Sequence, residues 1–316
     1  MPTVLAEVER SGLVEEVHGG TVAISDGSGR IVATMGDVER PFFIRSAAKP
    51  FQALACLDAG VDLVDLQLAI ACASHSGDPV HVALVDAILG AAGLSEVDLR
   101  CPSARPLAAA DRRLAAAGDV APSRRYHNCS GKHAAMLAAC VAAGWDTDTY
   151  TDPDHPLQRH IREIVGEATG VEPGPPGVDG CSAPVWRVTT VGLARAYSRL
   201  ASDDRLTRIR QAMARYPMIV SGEGRADGLI GRWMGAPAKA GAAGCIGVAV
   251  AGYGVASKAW SGSGTVAGVG ALEALRWMGV LVPALADALE DVARPKVMGG
   301  GEEVGRYRVP GALESV

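Results

Sequence analysis

The stretch Arg45-Ser46-Ala47-Ala48-Lys49-Pro50-Phe51-Gln52-Ala53 decides how the rest of the chain is read. It places a serine and a lysine three residues apart at the mouth of an apolar helical run. Residues i and i+3 of a helix share a face, so the spacing predicts that the Ser46 hydroxyl meets the Lys49 amine. A hydroxyl needs an adjacent base to act as a nucleophile at neutral pH. An uncharged lysine can serve, provided burial or a nearby positive charge such as Arg45 strips its proton. Lowering such an amine from about 10.4 to about 7.5 costs roughly 4 kcal/mol of differential solvation. The same spacing also arises by chance, with serine as an N-cap and lysine as a solvated first-turn residue. Pro50 is tolerated in a first turn and disfavours the α region for Lys49. The pair is therefore expected at the very start of the helix, where N–H groups without helical partners suit an oxyanion.

Upstream of this stretch, Leu13 to Val17 and Thr21 to Ser25 read as strands. Asp26-Gly27-Ser28-Gly29 is a turn, and Arg30 to Met35 pairs back. Downstream, the Ser46 helix runs to about Ala59 and stops at Gly60. Leu66 to Ala73 is apolar, and Pro79 starts a helix to about Ala92. Further helices are expected at Leu107 to Ala117, from Asn128-Cys129-Ser130 to Gly144 with Asn128 or Ser130 as its cap, at His155 to Thr169, Val191 to Ala201 and Arg205 to Tyr216. Val220 to Arg225 reads as a loop opening onto another helix. Cys245 to Val250 and Val255 to Trp260 form a second hairpin, and helices at Thr265 to Gly279 and Val282 to Val292 close the chain. Strands at both ends with helices between predict an α+β fold: one antiparallel sheet built from both termini, with a mainly helical insertion at about 45–235 in a single unit of 316 residues. Neither a glycine-rich dinucleotide loop nor a Walker-type loop occurs.

Composition narrows the partners. Hydrophobic residues make up 48%, enough for a large core, while aromatics are only 4% and glycine numbers 39, which favours close backbone packing. The net charge is −5 and no basic run occurs, which argues against nucleic acid or an anionic membrane as partner. The first residues lack the basic and apolar regions of a signal peptide, and the Ala242 to Ala256 stretch is too short and glycine-rich to span a bilayer. The expectation is a cytoplasmic protein. Seven irregularly spaced cysteines argue against a disulfide framework.

Four helix-opening loops, around Ser46, Ser74, Cys129 and Cys181, gather small polar and titratable residues, as functional loops do. Cys129-Ser130-Gly131-Lys132-His133 sets a thiol at a helix start, where the dipole favours thiolate. Cys129 could be a nucleophile with His133 as its base, a soft zinc ligand together with Cys181, half of a redox pair, or simply a packed thiol. In Ser74-His75-Ser76 the histidine reads as a general base or as a residue satisfied by backbone. Lys239 is either a solvated strand-entry residue or, if its strand packs on the Ser46 helix, a member of the site.

The order of Ser-x-x-Lys, a second serine and a Lys-x-Gly entering a late strand resembles the serine β-lactamase fold and its related glutaminases. A closer resemblance covers almost the whole chain: the Rhizobium-type (class 3) L-asparaginases. It rests on Arg45-Ser46-Ala47-Ala48-Lys49-Pro50, Cys72-Ala73-Ser74-His75-Ser76, Asn128-Cys129-Ser130-Gly131-Lys132-His133, Asp152-Pro153-Asp154-His155-Pro156, Asp179-Gly180-Cys181, Gly222-Glu223-Gly224-Arg225 and Lys239-Ala240-Gly241-Ala242. The resemblance implies hydrolysis of L-asparagine, with Ser46 as nucleophile and Lys49 as its base. It implies a second tandem of Ser74 with Lys239, and a pocket lined by Arg45, His133 and Asp179. It also implies zinc on Cys129, Lys132 and Cys181, organising the substrate site without being the catalyst, and a homodimer. Arg45 would grip the substrate carboxylate and Asp179 its ammonium. Loops after Gly60 and between Asp227 and Lys239 are shorter than the family's, which bears on selectivity.

Rival functions remain at this stage. A glutaminase differs only in pocket length, where one methylene is worth roughly 1–3 kcal/mol. A penicillin-binding acyltransferase, a Cys129–His133 thiol amidase and a non-catalytic zinc-binding module are the others.

Overall fold

A computed structural model describes residues 3–107, 112–113, 116–118, 120–222 and 224–316. Three strands open the chain: β1 (Val4–Arg10), β2 (Leu13–Ser25) and β3 (Ile31–Met35). Two-residue strands follow at β4 (Phe42–Phe43), β5 (Gly177–Val178), β6 (Pro184–Val185) and β7 (Arg187–Val188). The C-terminal strands are β8 (Ala238–Gly241), β9 (Cys245–Val250), β10 (Tyr253–Ala259), β11 (Lys296–Gly299), β12 (Glu302–Arg308) and β13 (Glu314–Ser315). The main sheet runs β11-β12-β1-β2-β10-β9-β8, with β3 on β2 and β13 on β3. Its pairings are antiparallel, and β2 lies directly against β10. The α+β fold expected from both chain ends is what the structure shows.

The sheet separates two apolar cores by the period-2 rule. Val22, Ile24, Ile246, Val248 and Val255 face the closing helix Gly264–Trp277. Ala23, Cys245, Ala249 and Ala256 face the helices that lie between β4 and β8. Small residues on that second face let the helix Thr190–Ser202 lie close: a Cβ at Gly254 would run into the Ala194 carbonyl oxygen. The approach carries Tyr197 to the turn holding Ser46, and its hydroxyl donates to Ala47 O at 3.1 Å. The sheet thus positions the candidate site through one buried helix.

Several elements differ from the sequence reading. β1, β11, β12 and β13 were not anticipated, because Glu302-Glu303-Val304-Gly305-Arg306-Tyr307-Arg308 carries the charges of a strand near a sheet edge rather than an apolar alternation. The two short strands at Leu13–Val17 and Thr21–Ser25 are one continuous strand. The Val282–Val292 helix breaks into Pro283–Ala288 and Glu290–Ala293. A short helix at Pro217–Ser221 occupies part of an expected loop, with proline starting it. Leu107 opens an expected helix that lies largely outside the described residues. Cys129, rather than Asn128 or Ser130, is the N-cap of the helix Ser130–Ala143, without a side-chain cap bond.

Gly254→Ala should test the seam between sheet and helix. A methyl forced against backbone cannot be relieved by a side-chain rotation, so we expect a loss of about 3 kcal/mol, at the upper end of overpacking. Urea unfolding of the variant against wild type measures it.

Candidate active site

Ser46 follows a left-handed residue. Arg45 has φ 51°, a conformation disfavoured for a residue with a side chain. The turn is held on both sides. Ile44 N donates to Trp186 O at 3.0 Å, and β4 pairs with β7. On the other flank β8 comes so near that a Cβ at Gly241 would sit 2.8 Å from Ile44 O. Ser46 lies in a 3-10 turn over Arg45–Ala48, and the α-helix Lys49–Asp58 starts behind it with Pro50 in its first turn. The predicted place of the pair at the helix start is correct.

The predicted contact within the pair is not. Lys49 N donates to Ser46 O within the turn, but among the described residues no hydrogen bond joins the Ser46 hydroxyl to the Lys49 amine. The Lys49 amine turns inward, fully buried, and donates to Ser74 Oγ at 3.1 Å, to Asn128 O at 3.4 Å and to Ala73 O. Three N–H groups of an ammonium match these three oxygens. A neutral amine would donate to the two carbonyls and accept the Ser74 proton instead. Burial pushes Lys49 below its ordinary value; the charge of Lys132 adds to the fall, while Cys129 and Cys181 oppose it. Arg45 is not among the main causes.

Ser74 is fixed by its N–H, which donates to Val220 O at 2.9 Å. Ser46 and Ser74 open onto one cleft of about 390 Å³, lined also by Asn128, Arg225, Asp227 and Thr265. Lys239 is not paired with Ser74. It is buried under β8 and donates to Asp227 Oδ2 at 3.0 Å and to Ala240 O at 2.9 Å. The solvated strand-entry alternative for Lys239 is thereby excluded.

Arg45 and Asp179 meet as an ion pair at 2.7 Å, with Arg45 Nε left without a partner. His133 Nδ1 lies 2.6 Å from the Tyr150 hydroxyl, which accepts from Arg100 N at 2.9 Å. The hydroxyl proton therefore goes to Nδ1, and Nε2–H is a buried donor without a partner. Burial pushes His133 down to about 3, so the ring is neutral. It does not line the Ser46 cleft. Although its backbone N–H donates to Cys129 O at 3.2 Å, among the described residues no hydrogen bond ties its ring to the Cys129 thiol, which weighs against a thiol amidase. His75 is a satisfied structural residue: its Nδ1 accepts from Gly77 N at 3.1 Å, and Nε2 lies 2.9 Å from Ser130 Oγ. With both ring nitrogens used, it has no lone pair left for a general base.

Cys129, Lys132 and Cys181 are all buried and interact with one another. A side-chain hydrogen bond with Cys129 pulls Cys181 down, against burial and with help from the Lys132 charge, to about 5. Burial opposes the Lys132 charge, but Cys181, Cys129 and Asp179 outweigh it and raise its value. Two sulfurs and an amine within mutual reach are a donor set that zinc accepts. Among the described residues no group of three His, Cys, Asp or Glu side chains gathers to hold a metal, so the third donor would have to be the lysine. All seven cysteines are free.

Asp227 and Arg225 were missed as site residues. Their sequence signal is weak: an acid in a first helical turn normally faces water and complements the dipole, and nothing local shows that this one is 1% exposed. Tyr150 and Tyr197 were likewise invisible, since each acts over a long sequence separation.

A cleft with two serine hydroxyls and two buried lysine amines behind it has the parts an acyl-transfer site needs. The chain belongs to the L-asparaginase II family, whose model matches residues 6–309. No curated protein matches it. Among solved structures, Mglu in its native form is 17% identical, with a TM-score of 0.45 over 82% of this chain. This chain spans 63% of that one. A β-lactamase (Mb2281c) from Mycobacterium bovis is 17% identical, with a TM-score of 0.43 over 87% of this chain and 95% of its own. A Bacillus glutaminase is 12% identical, with a TM-score of 0.45 over 82% of this chain and 91% of its own.

Tyr150→Phe removes the hydroxyl shared by Arg100 N and His133 Nδ1 and leaves the buried His133 Nδ1 and the part-buried Arg100 N without that partner. We expect a loss of about 1–3 kcal/mol in urea unfolding.

Proposed function

We propose that the protein is an L-asparaginase, releasing ammonia from the side-chain amide of L-asparagine to leave L-aspartate. Family membership supports the reaction class. The observation that carries the mechanism is the Lys49 amine, fully buried and 3.1 Å from a hydroxyl that shares a cleft with Ser46. Ser46 attacks the amide carbon. Its proton passes to Lys49 by way of the Ser74 hydroxyl and then to the leaving nitrogen. The C–N bond breaks, ammonia leaves, and water releases the acyl group from Ser46. Ser74 thus serves the Lys49 amine rather than Lys239. The zwitterionic head of asparagine displaces the Arg45–Asp179 pair, its carboxylate on Arg45 and its ammonium on Asp179.

Cys129, Lys132 and Cys181 would hold a zinc ion, with Lys132 neutral when it ligates. The ion would supply a fixed positive charge beside the substrate pocket. The free, buried cysteines fit a reducing compartment such as the cytoplasm. No helix among the described residues is long and apolar enough to cross a membrane. A homodimer is the assembly that the sequence resemblance implies.

Ammonia release from asparagine and glutamine by wild type tests the reaction. Ser46→Ala and Lys49→Ala should each remove nearly all activity, and the double variant should be little worse, because the two act as a unit. Ser74→Ala should match Lys49→Ala if the proton passes through its hydroxyl. Appreciable turnover by folded Ser46→Ala sinks the mechanism.

Elemental analysis of protein purified without chelator tests the metal. Zinc should be present in wild type and lost in Cys129→Ser and Cys181→Ser, with KM rising more than kcat falls. Unchanged zinc in both variants would leave these residues without a metal role.

A further inference from the structure

Building on the reading above, we propose that Asp227 is a positioning residue that holds Lys239 as a fixed ammonium beside the Ser46–Ser74 cleft. Asp227 sits in the first turn of the helix Ala226–Met234 and lines the cleft while almost fully buried. Its Oδ2 accepts from Lys239 Nζ at 3.0 Å and from Ala240 N at 2.8 Å. One carboxylate oxygen therefore clamps the side chain of one β8 residue and the backbone of the next. Arg225 extends the clamp. Its Nε lies 3.7 Å from Asp227 Oδ1, and its guanidinium donates to Ser74 O at 3.0 Å. A single carboxylate thus ties the strand carrying Lys239 to the loop carrying Ser74.

The arrangement separates two similar lysines. Lys49 and Lys239 are both fully buried, and burial favours loss of the proton from each. Lys49 donates to uncharged oxygens and has the Cys129 sulfur beside it, but no carboxylate is among its hydrogen-bond partners. Lys239 meets a carboxylate. Burial pushes Lys239 down to about 8; Asp227 resists, while Arg225 and Lys49 add to the fall. The other titratable groups facing it are Cys72 and Cys245, which burial raises to about 12 and about 11 and so keeps neutral. Burial opposes the charge on Asp227, but Lys239 and Arg225 outweigh it and hold the carboxyl below its usual range. Lys239 is therefore still charged at neutral pH because Asp227 is there. An amide oxygen gains negative charge as it is attacked, and a fixed cation nearby lowers the cost of that charge.

Asp227→Asn keeps the shape and removes the charge. In wild type, the penalty for a buried charged Lys239 is present below about 8 and is relieved as pH rises toward its unfolded value of 10.5. Without Asp227 the folded value drops further, so relief begins at lower pH. The gap in unfolding free energy between wild type and Asp227→Asn should narrow as pH rises from about 6 to about 8, then stay constant. A gap independent of pH overturns the proposal. The activity arm uses the same variant. At about pH 8 its kcat should fall about tenfold or more, with the variant-to-wild-type ratio recovering as pH is lowered. A purely structural brace would lower the ratio equally at every pH. If the single variant does not fold, Asp227→Asn combined with Lys239→Met removes the pair without leaving a lone buried charge. Full activity in that double variant also overturns the proposal. Wild type that releases ammonia from neither amide would defeat the asparaginase reading alone, because the unfolding arm needs no substrate.

Discussion

The Lys49 amine is the constraint on which the site depends. A fully buried lysine is tolerated only where its donors find acceptors, since an unpaired buried polar group costs several kcal/mol. Its acceptors come from Ala73, Ser74 and Asn128, which lie on two loops far from it in sequence. To satisfy one amine, the chain must bring the end of the helix Asp65–Ala71 and the entry to the helix Ser130–Ala143 against the first turn after Arg45. Those loops carry the second serine and Cys129, and the helix behind the second loop carries Lys132. The cleft is in this sense a consequence of burying Lys49.

The scaffold supplies what the loops cannot. Ile44 N is held by Trp186 O, Ala47 O by the Tyr197 hydroxyl, and the outer flank by β8 at Gly241. Arg45 can therefore be kept at positive φ, a strain that persists only where the surroundings over-determine it. The kink turns the Ser46 hydroxyl toward the cleft while its helix carries Lys49 into the interior. The two side chains of a Ser-x-x-Lys motif consequently part company. Helical spacing puts the two residues on one side of the turn, and a 3-10 turn stacks i over i+3, but the oxygens of Ala73, Ser74 and Asn128 decide where the long Lys49 side chain ends.

This explains what could be read in advance and what could not. The helix starts at Pro50, Pro79 and Pro156 and the hairpin of β9 and β10 follow local rules of capping and alternation, so they were visible. The association of Ser46, Ser74, Cys129 and Cys181 was visible only as a set of similar loops and through family resemblance. Which lysine meets which partner was not, because Lys49 with Ser74 and Lys239 with Asp227 are decided by packing across long separations. Charged strands such as β12 were hidden for the opposite reason: they follow the pairing rules of a sheet but not its usual hydrophobic pattern.

Three lysines lie buried near this cleft, and their partners differ in kind. Lys49 has uncharged oxygens with the Cys129 sulfur beside them, Lys132 has two cysteine sulfurs, and Lys239 has a carboxylate. Burial presses all three toward the neutral amine, so the partner decides how far each yields. A carboxylate with a depressed pKa is a permanent anion across the physiological range and gives Lys239 a permanent reason to stay charged. The oxygens around Lys49 accept from either protonation state, and the pull of Cys129 and Cys181 does not overcome burial there. An amine that must take up and return a proton needs that indifference, whereas an amine that only supplies field needs its opposite. The site assigns the two tasks through the choice of neighbour, with the same side chain in both places.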